Sequence, residues 1–585
     1  MKKKEKIIRY CISIVSIIGL TVCISILFPQ VRQMVIRLAE QVLRTKISLS
    51  EDWMKGLLSY AMGGIFFIIL FDYCTLTSSG KTLVRTVMHE IRDCLFETDW
   101  RSFTKPAMIM SVIYLLGILT IIRSNVLYLD DIGRTAKGFR TFYPFSRYIS
   151  EILSVFIHAD YRLTDISPFP QLLAIIILAA GSILLVYILN DNKITTPGLL
   201  ASIPLGLSPY MMECLSYRFD APYMALSVLA SIVPFLFLSR KKAFAFCSVI
   251  SLLIMCMTYQ AASGIYILIA LILSFNDWNR KRKTNKEVFL FLARAILSFC
   301  TAMFVFKLFL MKPFSAYASN SMLPLPQMIS GILTNIKTYV YIINDDFGFI
   351  WKTLVGTIIC FFIAKSVKIS AQKKMISFLV IIFLLFSLFI LSFGIYLILE
   401  HPLFAPRALY GFGLLLAIVS IYVASEFNKT AKIFAFALSW SFWVFAFSYG
   451  NALADQMRYA NFRITILLHD LSALFPDKDE NKLSLQLDNS IGFTPAVKNI
   501  AKHNPVIYKL VPPMLLENDS WSNVYFLDYY NFSSSIDVNF KVNREDERQY
   551  NDFNTLDLPV ILKTYYHTIK SDGKRVLVEL NDDYK

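Results

Sequence analysis

Runs of about twenty apolar residues are what most constrain this chain. A helix of that length crosses the roughly 30 Å hydrocarbon core of a bilayer. Only a helix or a closed barrel satisfies every backbone polar group there. Thirteen candidate spans can be marked, at 7–28, 57–73, 106–123, 170–190, 196–207, 222–238, 243–258, 260–275, 288–311, 346–364, 374–397, 405–424 and 431–449. Several are short, and the fifth, interrupted by Pro197 and Pro204, fits a broken or re-entrant segment. Composition agrees: 56% of the 585 residues are hydrophobic and 17% charged, against roughly 25% charged in soluble chains. The fold class expected is a polytopic α-helical membrane protein.

A net charge of +16 would suit a nucleic-acid partner, but its distribution argues against one. Residues 451–585 hold 19 acidic and 15 basic side chains, so the membrane part carries the whole excess. Threading thirteen spans from Lys2, Lys3 and Lys4 puts the strong basic clusters on one side. These are Lys81, Arg85, Arg92 and Arg101, then Arg240 to Lys242, Arg280 to Lys283, and the 365–374 loop. That is the positive-inside pattern. It places the N-terminus in the cytoplasm and the tail outside. The 7–28 run is long for a signal-peptide core and no small-residue cleavage site follows it, so it reads as a retained anchor. None of the nine cysteines lies beyond Cys360, which excludes a disulfide in the tail, and none shows metal-site spacing.

Three regions follow: an anchor at 1–105, a transmembrane core at 106–449 with an external loop at 124–169, and an external domain at 450–585. Further external segments fall at 208–221 and 312–346. The tail mixes a helical start (452–474) with strand-like VYFLDYY and RVLVEL, an α+β pattern. In the first loop Phe145, Tyr148, Ile149, Ile152, Leu153, Phe156 and Ile157 form a helical stripe. It fits a helix lying in the membrane interface or one packed on the tail. A similar stripe runs through Met34, Val35, Leu38, Val42 and Leu43.

Chemistry concentrates in LYLDDIGRTAKGFR, residues 127–140. Asp130 and Asp131 lie just beyond the third span, with Arg134, Lys137 and Arg140 behind them. Outside the cell membrane an activated group must arrive on a lipid carrier. Transfer of a sugar from a polyprenyl phosphate needs one base for the acceptor hydroxyl. It also needs cations for the leaving phosphate, a role that suits arginine. Arg134, Arg140 and Arg147 are the candidate phosphate-binding cations of this loop. Other external candidates are Glu213, Arg218 and Asp220 in ECLSYRFDAPYM, Arg407, and Gln260 in a short outer turn. Asp345 and Asp346 form a rival acidic pair. Each has a plain structural reading too: a solvated turn, a loop-fixing ion pair or a snorkelling arginine. No cofactor is called for. A divalent cation on the Asp pair is the weaker reading, because further acidic ligands are missing. His158 and Asp160 fit a helix end. No P-loop or Ser-His-Asp pattern occurs. Few charges lie in the spans (Arg294 and Lys307), which counts against an ion-coupled transporter. A lipid-linked sugar flippase or polysaccharide exporter is the alternative, and an acyl or phosphoglycerol transferase a third reading.

The segments LDDIGRTAKGF, RYISEILSVF and DISPFPQLL together resemble the bacterial type II glucosyltransferases, which convert O-antigen serotype and are often carried by phages. MECLSYRFDAPYMALSVLAS, APRALYGFG and SYGNALADQMRYANFRITILLHDL extend the likeness, in order, from Leu127 to the end of the chain. The resemblance implies a GT-C type fold with a catalytic Asp in the first large external loop and an interfacial helix after it. It implies undecaprenyl-phosphate glucose as donor, made and flipped by companion proteins, and a lipid-linked or growing surface polysaccharide as acceptor. The residues it carries over are Asp130, Asp131 and Arg134. Two spans precede the loop's own helix, so such a core would start at the third span.

Overall fold

The computed structural model describes residues 64–581 other than 66, 67, 70, 76, 312–321, 426, 427, 477–482, 514–525, 528, 531–535 and 539–551. The expected anchor span, the 34–43 stripe and most of the second span lie outside the described residues.

In chain order the helices are α1 (Ser78–Glu97), α2 (Arg101–Ser124), α3 (Asp130–Lys137), α4 (Tyr148–His158), α5 (Phe169–Leu189), α6 (Thr196–Ala201), α7 (Pro204–Leu207) and α8 (Pro209–Ser216). Then come α9 (Ala221–Ile232), α10 (Lys241–Cys256), α11 (Ser263–Asn279), α12 (Asn285–Val305), α13 (Met328–Asp346), α14 (Phe349–Lys368), α15 (Lys374–Leu391), α16 (Tyr410–Ala424) and α17 (Lys429–Leu474). The tail adds α18 (Pro495–Ala501), α19 (Ile507–Leu510) and strands β1 (Leu483–Asp488), β2 (Ile536–Val538), β3 (Val560–Lys563), β4 (His567–Ser571) and β5 (Arg575–Leu580).

Among the described residues seven helices are long and apolar enough to cross a membrane, fewer than the thirteen expected over the whole chain: α2, α5, Gln260–Asn279, Asn285–Leu310, α14, α15 and α17. The expected spans at 196–207, 222–238, 243–258 and 405–424 are helices too short to qualify. For 405–424 the reason is burial. All fifteen residues of α16 are buried within the protein. A helix surrounded by protein need not match the thickness of lipid, and hydropathy does not tell the two surroundings apart. The fifth segment is indeed broken, with Ser202 and Ile203 between α6 and α7. The stretch expected as a short external loop at 208–221 is instead buried throughout. Its polar groups are satisfied inside, for instance Ser216 against the Tyr449 hydroxyl at 2.7 Å.

The connections gather at two ends. At one end Arg240 pairs with Glu97 (2.7 Å), Asn279 donates to the Ser366 carbonyl (2.9 Å), and Lys365 caps the end of α16 through the Tyr422 carbonyl (2.6 Å). At the other end the 125–168 loop meets the tail. The basic clusters thus collect at a single end, as their spacing predicts.

Helix α17 has 46 residues, about 69 Å at 1.5 Å per residue. It runs without a break through 450, where the sequence places the border between core and tail. Its far half carries the tail sheet, of order β2-β1-β5-β4-β3, in which β1 lies parallel to β2 and β5 while β3, β4 and β5 are antiparallel. Leu485, Leu487, Val576 and Val578 share one apolar core with Leu467 and Leu471 of α17. RVLVEL is strand β5. The other strand-like run, VYFLDYY, is helical at 526, 527 and 529, because its aromatic spacing serves a helical turn packed on α17. The Tyr530 hydroxyl reaches Asn461 there (2.8 Å).

Two helices carry their polarity inside out. In α4, Ser150, Ser154 and His158 are buried, while Ile152 and Phe156 are exposed, Phe156 by 76%. The polar face packs on the chain near Thr258, whose carbonyl accepts from Ser150 (3.3 Å). Leu153 and Ile157 of the stripe pack on the Phe142 and Phe219 cluster, and the exposed Ile152 and Phe156 are what a helix at a membrane interface would offer to lipid. In α13, within a segment expected to be an external loop, Asn335, Tyr339 and Asp346 are buried while Ile329, Leu333 and Tyr341 are exposed.

Close approach of α2 and α17 depends on Gly450. A Cβ there would lie 2.6 Å from the backbone of Thr120 and Ile121. Small residues at helix crossings give this kind of contact in membranes. Gly450→Val should cost about 1–3 kcal/mol of stability. It should lower the thermal midpoint of the detergent-solubilised protein, read by size-exclusion chromatography after heating. An unchanged midpoint would show that the two helices part freely.

Candidate active site

The Asp-Asp motif is placed by strain as well as by sequence. After α2 the chain turns at Asn125 (φ 50°) and buries Val126, Leu127 and Tyr128. Leu129 then adopts φ 45° and ψ −102° as the N-cap of α3, a region costly for a branched side chain with no hydrogen-bonding group. The next residue, Asp130, opens into a cavity of ≈ 180 Å³. Helix α3 ends on Gly138, whose φ of 69° is the left-handed cap that glycine adopts without penalty.

The cavity wall has two characters. Its polar part holds Asp130, Arg134, Arg147, Asp220, Gln260, Lys307, His401 and Arg407, with Tyr217, Tyr259 and Tyr396 between them. Its apolar part holds Met224, Met303, Phe306, Met311, Leu399 and Leu403. Cations outnumber carboxylates on the wall, and its three arginines are held in place. Arg134 pairs with Asp220 and lies 4.8 Å from the Phe142 ring centre. Arg407 is clamped by Glu213, which accepts from its side chain (2.7 Å) and from its backbone N–H (2.5 Å). Arg147 lies over the faces of Tyr259 (4.6 Å) and Phe145 (5.2 Å). The Gln260 amide donates to the Phe145 carbonyl (3.1 Å) and fixes the rim.

Of the residues singled out in the sequence, Asp130, Arg134, Arg147, Asp220, Gln260 and Arg407 come together here. Four others stand elsewhere. Asp131 is fully buried behind the cavity, its Oδ2 accepting from the backbone N–H of Arg218 (3.0 Å) and of Tyr128 (3.3 Å). Arg218 holds the loop, donating to Asp165 (2.5 Å), Asn125 (3.0 Å) and the Val126 carbonyl (2.9 Å). Glu213 serves Arg407, and Arg140 pairs with Glu151 (3.2 Å). The rival Asp346 is buried against Lys509 (2.5 Å) and the Tyr210 hydroxyl (2.9 Å), away from the cavity. His158 stacks on Phe219, ring centres 5.7 Å apart. His401 and the three tyrosines were not legible from sequence as site residues, because nothing in their local pattern sets them apart. Lys307 carried a signal, a lone charge at the end of an apolar span, that named no role. Among the described residues no three His, Cys, Asp or Glu side chains converge as a metal site.

The two adjacent carboxyls differ in surroundings. Burial pushes Asp130 up, Arg134 pulls it back, and Asp220 adds repulsion. Burial raises Asp131 to about 8, against the lowering effect of the Arg218 N–H. Asp131 is thus protonated at neutral pH in the folded protein, whereas in the unfolded chain it ionises near its ordinary value of about 3.9. The folded state binds the extra proton between those values, so its stability falls as pH rises from about 4 to 8. Asp131→Asn, which mimics the protonated carboxyl, should flatten that part of the stability profile. Thermal midpoints of both proteins between pH 5 and 8 test this, and parallel curves would show that Asp131 is ionised throughout.

The site also sits where comparison with known proteins finds relatives. Residues 119–449, more than half of the chain, match the glucosyl transferase GtrII family. A Salmonella phage P22 protein, described as an uncharacterized 55.3 kDa protein in the gtrB 5' region, is 25% identical over 444 residues, covering 73% of this chain and 90% of that one. No solved structure matches. The matched region contains the entire cavity, and the chain belongs to the glucosyl transferase GtrII family, which makes it a membrane-embedded glycosyltransferase.

Proposed function

We propose that the protein moves a glucosyl residue from a polyprenyl-phosphate donor to a hydroxyl of a cell-surface polysaccharide such as O-antigen. The reaction runs at the outer face of the bacterial cytoplasmic membrane, on a GT-C type core, with the N-terminus in the cytoplasm and the tail domain outside. The observation that carries this reading is the cavity itself: Asp130 beside an Asp220 that is paired with Arg134, among further cations on a wall that also has an apolar part.

The roles follow from the chemistry. Asp130 takes the proton of the acceptor hydroxyl. The new bond forms between that oxygen and the anomeric carbon while the bond from that carbon to the phosphate oxygen breaks. The departing polyprenyl phosphate keeps the electron pair, so it needs positive charge and no strong acid. Arg147, Arg407 and Lys307 supply that charge, and Arg134 with Asp220 sets the field around Asp130. Met303, Phe306, Met311, Leu399 and Leu403 suit the first isoprene units. Gln260 and the tyrosines suit the sugar. Asp131, Arg218, Glu213 and Arg140 support the site without touching substrate. Attack opposite the phosphate inverts the anomeric centre, which a product linkage with the donor's configuration would contradict. Companion proteins would make the donor and flip it outward. Membership of a transferase family disfavours the export reading.

Cells carrying matched membrane levels of the intact protein, Asp130→Asn and Asp131→Asn test the assignment through polysaccharide linkage analysis. Asp130→Asn should lower transfer by roughly 10²–10⁴-fold, the usual worth of a positioned base, and Asp131→Asn should keep most of it. Full glucosylation by Asp130→Asn would remove Asp130 from the mechanism. Arg147→Ala should raise the donor KM more than it lowers kcat. A change confined to kcat would place the phosphate elsewhere.

A further inference from the structure

Among the described residues the tail domain meets the Asp130 loop at the turn that ends α19. The Leu510 carbonyl, at the end of α19, accepts from the Tyr128 hydroxyl at 2.8 Å and from the Tyr449 hydroxyl at 3.2 Å. Tyr128 is buried, 1% exposed, with its ring edge-on to that of Tyr217 at 4.8 Å between centres. Its backbone carries the first bonds of α3: the Tyr128 carbonyl accepts from the Asp131 N–H (3.0 Å), and its N–H donates to Asp131 Oδ2 (3.3 Å). Between Tyr128 and Asp131 stand only the strained Leu129 and Asp130. A residue at φ 45° and ψ −102° keeps that conformation only when its neighbours are held on both sides. Asp131 is held by the Arg218 N–H. On the other side Arg218 fixes Asn125 and Val126, and Tyr128 is held through its phenol, which grips the tail. Lys509, the residue before Leu510, is anchored in turn by Asp346.

We infer that Tyr128 is a positioning residue, and that the tail domain, through the Leu510 carbonyl, sets the aim of Asp130. The inference rests on Asp130 being the base. The domain then completes the geometry of the reacting group. Tyr449 gives an internal control. It bonds the same carbonyl from α17 but is no part of the loop.

The test compares full-length Tyr128→Phe and Tyr449→Phe, purified in lipid nanodiscs, with polyprenyl-phosphate glucose as donor. Two readouts are taken: kcat and KM, and hydrogen–deuterium exchange of the α3 amides. Tyr128→Phe should lower kcat about ten-fold or more, since small misplacement of a reacting group is costly, with donor KM unchanged. It should also speed exchange at Asp131 and Ile132. Tyr449→Phe should leave both readouts near those of the intact protein. Wild-type kcat and exchange in Tyr128→Phe would overturn the inference. Equal losses in both variants would also overturn it, showing that the hydroxyls serve only to dock the domain. If Asp130→Asn remains active, the base assignment is what fails. The exchange readout then still decides whether the tail holds the loop.

Discussion

The Asp131 carboxyl ties together segments 87 positions apart in the chain, accepting the backbone N–H of Arg218 while also holding that of Tyr128. The site depends on this bond. It draws the loop after α2 against the start of α9, where Asp220 meets Arg134. Arg218 repeats the tie with its side chain, reaching Asn125, Val126 and Asp165. A buried carboxyl without such donors would cost several kcal/mol. Here burial keeps it protonated, so the network carries less charge than its residue types suggest. Asp131 lies behind the cavity and Asp130 within it.

The arginines of the cavity are held in fixed positions by their protein neighbours. Arg407 is held through both its backbone and its side chain by a buried Glu213, and Arg147 by two aromatic faces. Breaking one partner of a buried pair strands the other, which typically costs 3–5 kcal/mol. Glu213 and Asp220 are therefore as necessary to the site as the arginines they serve. Only one of the two lines the cavity.

Lipid shapes the fold more than any single contact does. Helix α4 buries serines and exposes Ile152 and Phe156, an arrangement unstable in water and natural at a bilayer surface. Helix α13 repeats the pattern and braces the cavity wall, Asn335 donating to the Leu397 and Leu399 carbonyls at 3.0 Å each. The short apolar helices α6 to α9 and α16 fill the protein interior, where neighbours replace lipid.

The sequence by itself determined the solvent, the topology signal and the motif. Apolar run length dictates helices in lipid, basic residues sort to one end, and LDDIGR marks the loop where chemistry is expected. Local pattern suffices for these because each depends on residues near one another in the chain. Tertiary structure decided the rest. Asp130 and Asp131 are neighbours of the same type, and only packing around residues 128 and 218 makes one face a cavity and the other the interior. Arg134 and Asp220 stand 86 positions apart, and Arg407 and Glu213 194, so their pairing has no local signature. Hydropathy could not separate a span from a buried helix, since both lose the same water. Nor could it show that α17 continues past the membrane to carry the domain whose Leu510 carbonyl meets Tyr128.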